Sequence, residues 1–317
     1  IEKGKLRLYD PVSAFIPSFD NLKVLNPDGT TENIIRPMNI EDLLTHRSGL
    51  TYDFLMGCHV APLYSAQNIS DDGSKNLKEK CEILSSLPLA YQPGTRFNYS
   101  VSLDVLARII EVASGKDLIS VLDEEILKPL DMKDTGFGVK EENVNRLMST
   151  YGASNFKEIM NVKPHELIET NVEEHNPYNK GDSFQRGGTG LFSTTQDYLS
   201  FARMLLTGKS KTGEVIISRN MINFMRVNRI PDSQLPLMLG PLPLVGYGWN
   251  LAGRIVLDRG KIMSLTGENE FGWAGAASTY FWVDPDEDLV GLIMTQYLGS
   301  MWPINDDLRA AMYQAIE

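Results

Sequence analysis

Apolar positions Val105, Leu106, Ile109, Ile110 and Ala113 recur at the spacing of one helix face, and Gly115 ends the run. Ser102 stands where a cap for that helix belongs. Asn39 reads as another cap, with Glu41 and Asp42 in the first turn and Leu43 and Leu44 behind them. Lys78 to Leu87 reads as a helix that ends before Pro88, and Leu118 to Ile126 as a further one. Thr194 or Thr195 caps a helix that carries Tyr198, Phe201, Met204 and Leu205 on one side. The period then shortens. Tyr280–Val283 and Leu289–Met294 are short apolar runs divided by Asp284-Pro285-Asp286-Glu287-Asp288, a strand–turn–strand signal. Asn305 caps a closing amphipathic helix with Leu308, Ala311, Met312 and Ala315. Residues 51–80 and 137–186 are polar and carry little periodicity, and Gly187-Gly188-Thr189-Gly190 reads as a flexible break. Helices first, then strands and a final helix, predict an α+β protein: a mostly helical domain over residues 1–190 and an α/β domain with an antiparallel sheet over 191–317.

Composition narrows the function classes. A chain of 317 residues has room for a sizeable core. A formal net charge of −11 repels nucleic acid. No stretch reaches the roughly 18 uninterrupted apolar residues of a membrane helix. Two cysteines, Cys58 and Cys81, make no disulfide framework, although a bridge between them stays open. Cys58 and His59 are adjacent and have no second close pair, so no metal site and no cofactor is expected. Ile1 to Lys5 read as the last turn of a helix stopped by Gly4, so the chain is expected to start partway through an element. Compartment and oligomeric state are not legible.

Five segments in order carry a resemblance. They are Gly4–Leu8 with Asp10-Pro11-Val12; Asp42–Leu50; Pro93–Ser100; Gly187–Thr194; and Gly272-Trp273-Ala274-Gly275. Together they resemble the β-lactamase-related serine hydrolases, the superfamily of class C β-lactamases and penicillin-binding proteins, and most closely the family VIII carboxylesterases. The resemblance implies the β-lactamase/transpeptidase-like fold, with an antiparallel sheet flanked by helices. It also implies acyl transfer by a serine and a lysine of an S-x-x-K motif, one helical turn apart on a shared face. Tyr99 is then the tyrosine that moves the proton. A phenol with a pKa near 10 needs a neighbouring ammonium to act as a base. Trp273-Ala274-Gly275 occupies, on an edge strand, the place of Lys-Thr-Gly in β-lactamases, and the Ala276 N–H becomes one oxyanion donor.

Two departures favour an ester. Where β-lactamases have Tyr-x-Asn, the third position here is Val101, which cannot hydrogen-bond. Where they have a lysine, Trp273 brings an indole and no charge. A β-lactam loses a charge-assisted contact, whereas a neutral ester needs none and gains apolar surface. Val101, Trp273, Ala274 and Gly275 are therefore the expected substrate contacts, and a small-molecule ester is the expected partner.

The serine and its lysine are expected upstream of Ile1. Ser154-Asn155-Phe156-Lys157 matches S-x-x-K by spacing, but it follows Tyr99 and lies in an aperiodic region. No Gly-x-Ser-x-Gly elbow occurs. His46 is expected to orient a loop through a backbone bond, and His59, His165 and His175 to lie at the surface. Three readings of activity follow: hydrolysis of short-chain carboxylic esters; a β-lactamase or D,D-peptidase; and an acyltransferase or a non-catalytic ligand-binding fragment.

Overall fold

The computed structural model describes residues 1–70, 74–153, 158–159, 167–170, 185–300 and 302–316. The chain divides into two compact units, and it passes between them more than once. The first comprises the described residues of Ile1–Asp123, Lys180–Leu191 and Arg229–Leu244; the second, those of Glu124–Asn179, Phe192–Asn228 and Val245–Glu317.

In the first unit a short hairpin pairs β1 (Lys23–Leu25) with β2 (Thr31–Asn33). The helices are α1 (Ile40–Leu44), α2 (Ala61–Ala66), α3 (Leu77–Ser86), α4 (Ser102–Ser114) and α5 (Leu118–Leu122). Asn39 caps α1 in a full capping box with Asp42, as its sequence context predicts, and Asn76 does the same for α3 with Glu79. Gly115 ends α4 in the left-handed conformation at φ 73°. Helices α1 and α3 both pack on α4, burying Ile40, Leu43, Leu84, Val105 and Ile109.

The polar stretch after residue 50 is less irregular than its composition suggests. Leu55, Cys58, Val60, Tyr64 and Ile69 are all buried in this core, and the Tyr64 hydroxyl donates to the Pro88 carbonyl at 3.2 Å. Five scattered apolar residues suffice because α2 and its flanking turns present them inward, with neither helical nor strand periodicity. Cys58 and Cys81 are buried and unbridged, which closes the question of a disulfide.

In the second unit the main sheet is antiparallel, in the order β11 (Leu289–Ile293), β10 (Tyr280–Asp284), β9 (Phe271–Ala274), β8 (Arg254–Val256), β7 (Tyr247–Trp249). The expected strand–turn–strand is β10–β11. All of β10 is buried, and Trp282 lies opposite Gly272 on one side and Gly291 on the other. A Cβ on Gly291 would stand 2.0 Å from the indole, so the glycine leaves the room that the tryptophan fills. Helix α6 (Thr195–Thr207), capped by Thr194 and closed by Gly208 at φ 76°, packs on β10 and β11. Helix α7 (Arg219–Arg226) follows it, and α8 (Ile304–Gln314) packs on β11. A small sheet joins β3 (Thr150–Gly152), β4 (Glu169–Thr170) and β12 (Tyr297–Leu298). In the first unit, β5 (Leu237–Leu239) and β6 (Leu242–Leu244) form a separate hairpin.

Three expectations need correction. Ser102 does not cap α4: Val101 holds the cap position without a side-chain bond, because the Ser102 hydroxyl is engaged by Ser48 and Ser100 at 2.7 Å each. Asn305 lies inside the first turn of α8, and Pro303 precedes the helix. Strand β9 is interior, not an edge, since it pairs with both β8 and β10. Its pairing with β8 covers only Phe271 and Gly272, so Trp273 and Ala274 extend past that partner.

Candidate active site

Tyr99 sits on the turn before α4, and a second loop holds it there. Several hydrogen bonds stitch Thr45–Leu50 to Phe97–Ser102. The Asn98 amide donates to the Leu50 carbonyl at 2.7 Å, the Ser48 and Ser102 hydroxyls meet at 2.7 Å, and the Ser100 N–H donates to His46 Nδ1 at 3.3 Å. His46 takes φ 52°, unusual for a side chain with a Cβ, and its carbonyl accepts the Asn98 N–H at 2.8 Å. The loop turns at Gly49, where a Cβ would fall 2.1 Å from the Tyr91 carbonyl oxygen. Asn98, Ser100, Val101 and Ser102 are buried around Tyr99, and its own ring is half-buried. The His46 ring lies 4.6 Å from it and the Tyr52 ring 5.3 Å. His46 therefore does orient a loop, through both its backbone and its ring.

Burial pushes His46 down to about 3, so the ring is neutral in the folded protein. A histidine near 6.5 in the unfolded chain then binds protons that the folded state refuses. Stability falls as pH drops from 6.5 toward 3. Between pH 6 and 5 this group alone removes about 1 kcal/mol. Urea unfolding at the two pH values checks the loss, and His46→Gln should flatten that part of the profile.

Near Tyr52 lies an ion pair that the sequence does not announce. Lys80 Nζ in α3 meets Asp104 Oδ2 in α4 at 2.8 Å, with both side chains buried. Asp104 Oδ1 accepts from the N–H groups of Gly187 at 2.7 Å and Gly188 at 3.2 Å. Burial would raise this carboxyl, but Lys80 and the Gly187 N–H outweigh it and hold it below its ordinary value. The glycine run is thus a pinned turn rather than a flexible break. A Cβ on Gly187 would strike the Leu103 carbonyl at 1.9 Å, and one on Gly188 the Tyr52 hydroxyl at 2.6 Å. Tyr52 stacks on Phe54 at 4.8 Å. Burial, then the neighbouring Tyr99 and Asp104, keep its phenol far above the ordinary value, so it remains protonated. Lys80, Asp104 and Tyr52 are the residues that sequence reasoning missed; Tyr52, two residues after Leu50, carried the one local signal.

In the second unit, Trp273 is half-buried, edge-on to Trp249 at 4.6 Å, while Ala274, Gly275 and Ala276 are exposed. The turn after β9 is closed by the Gly275 N–H to the Thr279 carbonyl at 2.8 Å and the Ser278 N–H to the Gly275 carbonyl at 3.0 Å. A Cβ on Gly275 would stand 2.2 Å from Thr279 Oγ1, so a larger residue there would have to displace that hydroxyl. Among the described residues no acceptor takes the Ala276 N–H. Ala276 borders a cavity of about 290 Å³, lined also by Gly275, Trp302 and Asn305 among others. Val101, by contrast, is fully buried in the core of the first unit.

His59 is partly buried, with Nε2 bonded to the Leu25 carbonyl, so it is not a free surface group. His165, His175 and the Ser154–Lys157 spacing lie outside the described residues. Among the described residues no cluster of acidic, histidine and cysteine side chains could hold a metal ion, and no helix is long and apolar enough to cross a membrane.

The Beta-lactamase family model matches residues 1–315. The chain belongs to the Beta-lactamase family. Its relatives include the uncharacterized protein MT1414 of Mycobacterium tuberculosis, 32% identical over 305 residues that span 94% of this chain and 73% of that one. Esterase EstB of Burkholderia gladioli is 35% identical over 140 residues, covering 43% of this chain and 33% of its own length. Lovastatin esterase of Penicillium rubens is 25% identical, over 99% of this chain and 78% of its own. Among solved structures, EstCE1, a hydrolase with promiscuous acyltransferase activity, superimposes with a TM-score of 0.78 at 24% identity, covering 99% of this chain and 80% of that one.

Family membership settles the architecture as β-lactamase/transpeptidase-like, with an antiparallel sheet and helices, the fold of EstCE1 and of penicillin-binding-protein homologues. It also places the chain among serine hydrolases whose members similar to it include esterases and acyltransferases.

Proposed function

We propose that this protein hydrolyses short-chain carboxylic esters through an acyl-serine intermediate. The nucleophile is the serine of an S-x-x-K motif, with the motif's lysine beside it, as the resemblance to the family implies. Tyr99 relays the proton. The Ala276 N–H and the serine's own N–H receive the oxyanion, where losing one donor costs about 3–4 kcal/mol of barrier. Trp273, Ala274 and Gly275 border the substrate, and Val101 shapes the turn from beneath.

The observation that carries the reading is Ala276, an exposed residue at a cavity whose N–H meets no acceptor among the described residues. An unmet backbone N–H at an exposed turn can serve a developing oxyanion. The preference for esters rests on Val101 and Trp273, which supply neither amide nor cation, and it agrees with relatives named as esterases. Relatives named as acyltransferases favour a second outcome from the same acyl-enzyme, in which an alcohol replaces water as acceptor. The test is the full-length protein assayed with 4-nitrophenyl acetate or butyrate and with a chromogenic cephalosporin. Ester turnover at least tenfold above cephalosporin turnover in kcat/KM is expected. The reverse order would assign a β-lactamase or D,D-peptidase instead. An absence of any covalent adduct with a fluorophosphonate would leave only ligand binding.

A further inference from the structure

None of the described residues that line the cavity at the Ala276 turn carries a formal charge. The lining is not apolar either. Thr279, Ser300 and Asn305 bring two hydroxyls and an amide to it, beside the indole of Trp302 and the side chain of Ile304. The Thr279 hydroxyl has no hydrogen-bond partner among the described residues. It stands over Gly275, the residue whose carbonyl carbon bears the Ala276 N–H. Ser300 Oγ accepts the Trp302 N–H at 3.3 Å and keeps its own proton to give. Asn305 Oδ1 is buried and accepts no hydrogen bond, a cost that a donor on a ligand would remove.

Donors and acceptors are thus mixed along this wall, and charge is missing from it. A carboxylate or phosphate finds no cation here, and an ammonium no anion. A wholly apolar group leaves the Thr279 and Asn305 oxygens unmet. A group with several hydroxyls answers both, because each hydroxyl donates and accepts. Its C–H faces also have an indole to pack on.

We propose that this cavity takes the alcohol part of the ester, and that the alcohol is a small neutral polyol: a glycerol unit or a single sugar ring. The inference rests on the ester-hydrolase reading. The acyl part is short in that reading, so the alcohol is the part with the bulk to fill about 290 Å³. That volume sits at the lower end of ligand pockets, which suits one small group and not an oligosaccharide. Thr279 holds a hydroxyl next to the Ala276 turn, Ser300 and Asn305 hold others, and Trp302 backs the carbon skeleton. As the acyl carbon bonds to the serine oxygen, its bond to the polyol oxygen breaks. That oxygen leaves with the proton taken from the serine, and water then releases the short acid.

Two matched pairs of esters test this with the full-length protein in a pH-stat. Glyceryl 1-acetate is compared with propyl acetate, and methyl 6-O-acetylglucopyranoside with cyclohexylmethyl acetate. At least one polyol ester should exceed its partner by about tenfold or more in kcat/KM, and the larger of the two ratios tells a glycerol unit from a sugar ring. Thr279→Val should cut the leading ratio to about threefold or less, whereas Thr279→Ser, which keeps the hydroxyl, should preserve most of it. Circular dichroism melts show whether each variant is folded. Should Thr279→Val not fold, Trp302→Leu replaces it with the same collapse expected. Ratios near one for both pairs, with the esters turned over, overturn the polyol and leave the esterase reading standing. A large ratio that survives both Thr279→Val and Trp302→Leu puts the recognition elsewhere and overturns the cavity. No turnover of any of these esters overturns this inference and the esterase reading together.

Discussion

Tyr99→Phe lowers kcat/KM for a short-chain ester by about 10²–10⁴-fold, the range set by removing a positioned proton-transfer group. The substitution deletes one oxygen and keeps the ring. The packing of that ring on His46 at 4.6 Å and Tyr52 at 5.3 Å is retained, so the melting temperature should stay within a few degrees. Substrate affinity should change little, because the phenol acts as the proton moves and not as the ester docks. Steady-state kinetics of the full-length protein with 4-nitrophenyl butyrate reads both parameters. Tyr52→Phe is the control. Its hydroxyl is held protonated and faces Gly188, so it can pack but not serve as a base at neutral pH. Full activity in Tyr99→Phe would remove Tyr99 from the chemistry and return it to the core.

Which features were legible in the chain follows from how far apart their partners lie. Asn39 with Asp42, Thr194 with Asp197, and Gly115 after α4 are contacts over one turn, and each was readable. The β10–β11 hairpin was readable because its strands are joined by four turn-forming residues, Pro285–Asp288. Ser102 misled because its local signal was right and its bond was not: Ser48, 54 positions away, takes the hydroxyl. The burial of Leu55, Cys58, Val60, Tyr64 and Ile69 was hidden because short turns present them with no period to detect. The place of β9 within its sheet is likewise set by β7 and β8, whose three-residue strands carry no alternation worth reading. For the site, Tyr99, Trp273 and Ala276 came from motif order alone, whereas the Lys80–Asp104 pair and its bonds to Gly187 and Gly188 join positions 24 to 84 residues apart and leave no trace in a linear reading.

Those supports predict the second large effect. Lys80→Met destabilises the protein by about 3–5 kcal/mol, because it takes the contacting ammonium from a buried Asp104 carboxylate and leaves it the Gly187 and Gly188 N–H groups and the field of Arg186. Urea unfolding measures it. The double variant Lys80→Met/Asp104→Leu should recover a good part of that loss, since neither charge of the pair remains, but not all of it. The shortfall has a specific source: the two glycine N–H groups lose their acceptor, at about 1–3 kcal/mol for each that stays buried and unmet. The Gly187–Gly188 turn backs Tyr52, and Tyr52 backs Tyr99. The double variant should therefore regain stability before it regains ester turnover. If it recovered both together, the pair would matter only to folding; if Lys80→Met cost nothing, the anchor under Tyr99 would have to lie elsewhere.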